Sequence, residues 1–171
     1  MDSYRRTRQS LETLATLSLP NLWYRIYTTM PGPLLVVVDT NVLVAGLRSR
    51  NGTAFKLLSL IGQNRFKICL SVPVVIEYED VLLAQLEHLH FSEADVRDFL
   101  DYLCSVGRHQ AVHYLWRPYL RDAKDDLFLE VAVAGNCDAI ITYNLRDFGG
   151  ADKFGVRILT PGDFLQHIGG L

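Results

Sequence analysis

Hydrophobic positions along the chain form two kinds of pattern, which alternate. Short segments of strand length lie at 34–38, 66–70, 139–142 and 156–159, and the first of them is a continuous apolar run typical of a buried strand. Apolar residues spaced three or four positions apart lie between them, at 53–61, 71–86, 92–107 and 126–135. Strands that alternate with helices in this way predict an α/β domain in which helices cover both faces of a central parallel sheet.

Local capping signals mark where the predicted helices begin and end. Ser71 followed by Pro73 is typical of a helix start, and Ser92 begins a capping-box sequence. Gly135 is a typical helix stop, and Pro161 begins a short final helix. The segment 107–125 has no clear period, so we expect a strand near 112–115 and a loop after it.

The first 33 residues differ from the rest of the chain. They contain four arginines against Asp2 and Glu12, and Met30 stands directly before a Pro-Gly-Pro turn sequence. Glu12 and several Thr and Ser residues interrupt the apolar positions, which argues against a signal peptide. We therefore expect residues 1–33 to be an N-terminal leader or extension, and residues 34–171 to form the folded domain.

Composition and charge exclude several classes of protein. A 171-residue chain with 49% hydrophobic and 21% charged residues is not mainly disordered. The net charge of −2 excludes a polycation that holds nucleic acid by charge alone, and no apolar run approaches the length of a membrane helix. The spacing of Cys69, Cys104 and Cys137 matches no metal or disulfide motif, which predicts buried free thiols and a cytoplasmic location.

Four acidic residues are predicted to lie at one edge of the sheet. Asp39 directly follows the first strand, Glu77 lies one turn into the helix after the second, Asp126 begins a helix, and Asp147 follows the 139–142 strand. Taken singly, Asp126 or its neighbour Asp125 could serve as a helix cap. Carboxylates that share an edge repel one another, however, and a hard divalent cation such as Mg²⁺ or Mn²⁺ relieves that repulsion.

Five segments, in order, resemble the motifs of PIN-domain nucleases. They read VVVDTNVL at 36–43, LS at 70–71 followed by Glu77, DLFLEVA at 126–132, ITYNLRDF at 141–148, and VRILTP at 156–161. The resemblance covers about residues 34–167, and it suggests a VapC-like member of the family. It implies a PIN-like three-layer α/β/α domain.

The resemblance also implies a metal-dependent endoribonuclease, often the toxin of a bacterial toxin–antitoxin pair. Its catalytic acids and Mg²⁺ or Mn²⁺ ligands would be Asp39, Glu77, Asp126 and Asp147. Asn41 would hold a carboxylate and Thr142 would contact metal-bound water. Asn144 stands where many family members carry an Asp. A cognate antitoxin and a homodimer are the partners that the resemblance implies.

A chain of net charge −2 still needs local positive charge to hold RNA. Arg48 and Arg50, which we expect in a loop at 46–52, together with Arg121 and Arg146 are the candidate phosphate contacts. Two alternatives remain open at this point. One is a catalytically silent PIN-like module that binds RNA or protein. The other is an Asp-based phosphotransferase, which Asn41 disfavours because that chemistry requires a second Asp there.

Overall fold

The computed structural model describes residues 32–113 and 117–170, and the helices and strands among them belong to the unit Pro33–Leu171. Most of the expected N-terminal leader and residues 114–116 therefore lie outside the described residues. The division of the chain at residue 33 stays a prediction.

Five parallel strands form the sheet. They are β1 (Leu34–Val38), β2 (Phe66–Leu70), β3 (Arg108–His109), β4 (Ala139–Ile141) and β5 (Arg157–Leu159), in the order β3-β2-β1-β4-β5. Val36 in the central strand pairs with Ile68 on one side and with Ala139 on the other. Along the chain, β2 and then β3 are added on one side of β1, and β4 and then β5 are added on its other side. The carboxyl ends of β1 and β4 thus form a topological switch point, where open α/β sheets bind ligands.

Helices flank this sheet, which confirms the predicted three-layer α/β/α fold. They are α1 (Thr40–Arg48), α2 (Thr53–Ser59), α3 (Val72–Ala84), α4 (Leu86–Leu89), α5 (Glu93–Val106), α6 (Asp126–Ala134) and α7 (Pro161–His167), with a 3₁₀ turn at Ala151–Phe154. Ser71 caps α3, and Ser92 with Asp95 forms the predicted capping box of α5. Within the described residues, no helix is both long enough and apolar enough to cross a membrane.

The core lies around β1 and α6. Val36, Val37 and Val38 are completely buried, and residues 126–132 of α6 are buried on every side of the helix. Cys69 and Cys137 are buried free thiols as predicted, whereas Cys104 is only partly buried. A central strand covered on both faces explains why β1 reads as an uninterrupted apolar run.

Two sequence predictions differ from the structure. The strand expected near 112–115 falls partly on residues outside the described range, and its described residues, Val112 and His113, are not in a strand. The edge strand that the structure describes is β3, where Arg108 and His109 pair with Cys69 and Leu70 of β2. This edge strand is two residues long and polar, so it leaves no hydrophobic signature.

The expected loop at 46–52 is also wrong in its first half, because α1 continues to Arg48. Gly46 lies inside that helix where α1 meets α2. A Cβ at Gly46 would stand 2.6 Å from Leu58 Cδ1, so the glycine there serves close packing rather than a turn.

Candidate active site

A cavity of about 350 Å³ opens at the carboxyl end of β1. Its lining includes Asp39 at the end of β1, Glu77 in α3, and both Asp122 and Asp125 in the segment before α6. Asn144, which follows β4, lines it as well. The structure therefore brings Asp39 and Glu77 to one cavity and adds two further aspartates.

Asp39 is held in place by hydrogen bonds that cross the switch point. It is only 5% exposed, and its Oδ2 accepts hydrogen bonds from Thr142 Oγ1 (2.5 Å) and Asn41 Nδ2 (2.6 Å). Asn41 in turn accepts a hydrogen bond from the Tyr143 backbone N–H (3.2 Å), and Thr142 Oγ1 accepts one from the Asn144 N–H (2.9 Å). Asn41 and Thr142 therefore fix the carboxylate of Asp39 between β1 and β4.

Burial and hydrogen bonding act in opposite directions on Asp39. Burial raises the pKa of this carboxyl group above its usual value, whereas the hydrogen bonds from Thr142 and Asn41 oppose the rise. These hydrogen bonds favour the charged form, so they support an ionised carboxylate in a largely buried position.

Asp125 shows most clearly how negative charge accumulates in the cavity. Its pKa is raised to about 6, first by burial and then by the charge of Asp39, with smaller contributions from Asp122, Asp147 and Asp126. Carboxylates this close to one another are destabilised together. A bound cation would relieve that repulsion.

Asp126, the residue predicted for the third acid, does not line this cavity. It is 1% exposed, and its carboxylate accepts hydrogen bonds from the backbone N–H groups of Leu120 (2.8 Å) and Tyr119 (3.1 Å). Asp126 therefore holds the preceding segment against the start of α6, and Asp125 occupies the cavity instead. Since α6 is buried on all sides, hydrophobic periodicity could not distinguish the two adjacent acids.

The other predicted site residues divide between the cavity and its surroundings. Arg48 lines the cavity from the last turn of α1, and Lys124 lines it beside Asp125. The predicted residues that do not line it are Asp126, Thr142, Asp147, Arg50, Arg121 and Arg146. Asp147 nevertheless lies near enough for its charge to raise the pKa of Asp125.

One buried hydroxyl group in this cavity has no hydrogen-bond partner among the residues that the structure describes. Thr40 is 7% exposed and lines the cavity. Among the described residues, its Oγ1 is the one buried side-chain polar atom that has no hydrogen-bond partner. Leaving a buried hydroxyl unpaired costs about 1–3 kcal/mol on the scale of protein mutational data. Such an atom at a cavity wall is suited to a polar group of a ligand. Sequence reasoning did not identify Thr40.

The donors of the cavity fit a hard divalent cation through their chemistry. Asp39, Glu77 and Asp125 offer carboxylate oxygens, which Mg²⁺ and Mn²⁺ prefer. Across residues 32–113 and 117–170, no group of three or more His, Cys, Asp or Glu side chains forms a ready-made metal site. Mg²⁺ commonly keeps several waters and takes only one or two protein carboxylates, so the donor set fits an ion held partly through water.

Comparison with known proteins agrees with this architecture. The family model described as "PIN domain" matches residues 35–146, more than half of the chain. Among solved structures, a chain of VapBC2 from Rickettsia felis bound to a DNA fragment from their promoter superposes with a TM-score of 0.52 at 15% identity, covering 73% of this chain and 98% of that one. No curated protein matches the sequence. At this identity the structural match shows a shared fold, whereas the family match is direct, and the chain belongs to the PIN domain family.

Proposed function

We propose that the protein is a Mg²⁺- or Mn²⁺-dependent endoribonuclease that hydrolyses RNA phosphodiester bonds. The observation that carries the proposal is the meeting of Asp39, Glu77 and Asp125 in one cavity at the sheet switch point. These three residues come from three distant segments, and membership of the PIN domain family supports the same assignment.

Asp39, Glu77 and Asp125 are the residues that would hold the ion. Asp125 takes the place that the sequence suggested for Asp126, while Asp122 and Asp147 add negative charge nearby. These residues would hold a divalent ion whose contribution, when bound, would be to activate water and to neutralise charge on the scissile phosphate.

The remaining residues of the cavity position the reacting groups. Asn41 and Thr142 orient the Asp39 carboxylate. The unpaired hydroxyl of Thr40 offers a hydrogen bond to a water molecule or a phosphate oxygen, which preorganises the site. Arg48 and Lys124 line the same cavity and are the cationic side chains suited to contact the RNA phosphates.

We further propose that the protein acts in the cytoplasm as the toxin of a bacterial toxin–antitoxin pair. The fold that it shares with a chain of the VapBC2 structure supports this assignment. A cavity rich in carboxylates would accept a basic side chain of an antitoxin. The exposed apolar residues Val72 and Ile76 of α3 are suited to a homodimer contact.

Metal-dependent RNA cleavage tests the proposal. We expect the purified protein to cut single-stranded RNA with Mn²⁺ or Mg²⁺ and to stop on addition of EDTA. Asp39→Asn and Asp125→Asn should each lower the rate by about 100-fold, the equivalent of roughly 2.7 kcal/mol. Asp98→Asn, an exposed aspartate on α5, is the matched control and should cleave like the wild type.

The alternative of a catalytically silent RNA-binding module has one observation in its favour, which is the lack of a ready-made three-residue metal site among the described side chains. It predicts RNA binding without cleavage under every metal condition. Cleavage that persisted undiminished in Asp39→Asn would contradict the proposed site.

A further inference from the structure

We propose that a second cavity, next to the one that holds the carboxylates, binds a phosphate group of a nucleotide flanking the scissile bond. This inference rests on the proposed function and adds a substrate subsite to it. The second cavity has a volume of about 600 Å³ and is lined by Arg48, Gln85, Glu87, His88 and His90.

Arg48 connects the two cavities because its side chain lines both of them. Its Nη2 donates a hydrogen bond to Gln85 Oε1 (3.1 Å), which fixes the guanidinium at the boundary. A guanidinium carries five N–H donors, and this hydrogen bond uses one of them. An RNA chain that leaves the carboxylate cavity along Arg48 would therefore enter the second cavity directly.

The charge of the second cavity suits an anion. Arg48 brings a positive charge, His88 and His90 bring imidazole nitrogens that can donate hydrogen bonds, and Glu87 is the single acid among the five lining residues. This contrasts with the first cavity, where carboxylates predominate. A phosphate seated beside Arg48, His88 and His90 would meet several N–H donors, and such contacts hold a nucleic-acid backbone in register.

The backbone at the end of α4 places both histidines on the same cavity. Residues two positions apart on a continuous helix do not face each other. Here α4 ends at Leu89, and His90 has a left-handed backbone conformation with φ 58° and ψ 31°. A non-glycine residue in this conformation costs about 1–2 kcal/mol. A left-handed residue is a common way to end a helix, and His88 and His90 both line the cavity at this helix end.

Binding and cleavage measurements on His88→Gln/His90→Gln test the subsite. Both side chains are exposed, so the double variant should fold, and its melting temperature checks this. The control is His167→Gln, an exposed histidine on α7. The probe is a fluorescent single-stranded RNA of about a dozen nucleotides, a length that covers more than one subsite.

We expect the double variant to bind this RNA about 10-fold more weakly than the wild type, a change of about 1.4 kcal/mol, and to show a smaller dependence of affinity on salt. Its KM should rise more than its kcat falls, and more for the long RNA than for a dinucleotide. His167→Gln should match the wild type in every assay.

The outcomes separate the subsite from the nuclease activity. If the wild type cleaves RNA and the double variant binds it equally well, the subsite is refuted and the nuclease assignment stands. If the wild type binds RNA without cutting it and the double variant binds more weakly, the subsite is supported while the nuclease assignment fails. A wild type that does not bind the probe overturns the subsite.

Discussion

Replacing Thr40 by Val is expected to stabilise the protein and impair its activity. Thr40 begins α1 inside the carboxylate cavity, where its buried Oγ1 has no hydrogen-bond partner among the described residues. Valine has nearly the same shape and is also β-branched, so the backbone preference at this position changes little. The substitution therefore removes one polar atom and leaves the packing intact.

The magnitude follows from the cost of burying an unpaired hydroxyl group, which is about 1–3 kcal/mol. Because the Thr40 side chain is 7% exposed, most of that cost applies. We expect Thr40→Val to raise the free energy of unfolding of the metal-free protein by about 1 kcal/mol, which raises the melting temperature by about 2–4 °C for a chain of this size. Loss of one hydrogen bond to water or phosphate should slow RNA cleavage by about 10-fold.

Thermal unfolding in EDTA and single-turnover cleavage kinetics measure the two effects. Thr40→Ser keeps the hydroxyl and should retain most of the activity. Thr160→Val is the contrasting control, because the Thr160 hydroxyl is paired with Asp163 in the cap of α7, and its loss should cost about 1 kcal/mol of stability. A Thr40→Val protein that is less stable than the wild type and cleaves at the same rate would refute the reasoning.

Three further variants test other parts of the structure. The pKa of Asp125 is raised to about 6, above its unfolded value near 4, so the stability of the metal-free protein should fall as the pH rises from about 4 to about 6. In urea unfolding, the stability of Asp125→Asn should not show this fall with pH. If Asp125→Asn has the same pH dependence of stability as the wild type, the carboxylates around Asp125 do not raise its pKa. Asp126→Ala should cost about 1–3 kcal/mol in urea unfolding, because two backbone N–H groups lose their acceptor, and a neutral result would contradict this role. Tyr78→Phe should lower the melting temperature, since the buried Tyr78 hydroxyl donates to the Val38 carbonyl, and it should leave metal affinity unaltered.

The parts of the fold that could be predicted from the sequence are those with strong local signals. β1 occupies the predicted residues because a strand buried on both faces reads as an apolar run with sharp ends. β2 also occupies its predicted residues, although the exposed Lys67 interrupts its apolar positions. Asp39 follows directly from the end of β1, and the parallel topology then brings Thr142, which follows the neighbouring β4, against it. Pattern and topology together were sufficient for this half of the site.

The remaining parts depend on tertiary structure that a pattern does not encode. Asp125 and Asp126 are adjacent acids at one helix start, and only the position of the Tyr119 and Leu120 backbone determines which one is turned away from the cavity. Strand β3 forms because a polar edge segment meets β2, although its own residues lack strand character. Thr40 has no signal in the sequence, because the burial of its hydroxyl without a partner among the described residues is a property of the folded cavity.

Direct titration of the metal-free protein with Mn²⁺ in a calorimeter tests the central claim most directly, because it needs no knowledge of the RNA. The wild type is expected to bind the ion, and Asp39→Asn and Asp125→Asn should each weaken that binding by about 10-fold or more. Asp98→Asn should bind as the wild type does. Equal Mn²⁺ affinity in all four proteins would show that the carboxylates of this cavity do not hold the ion.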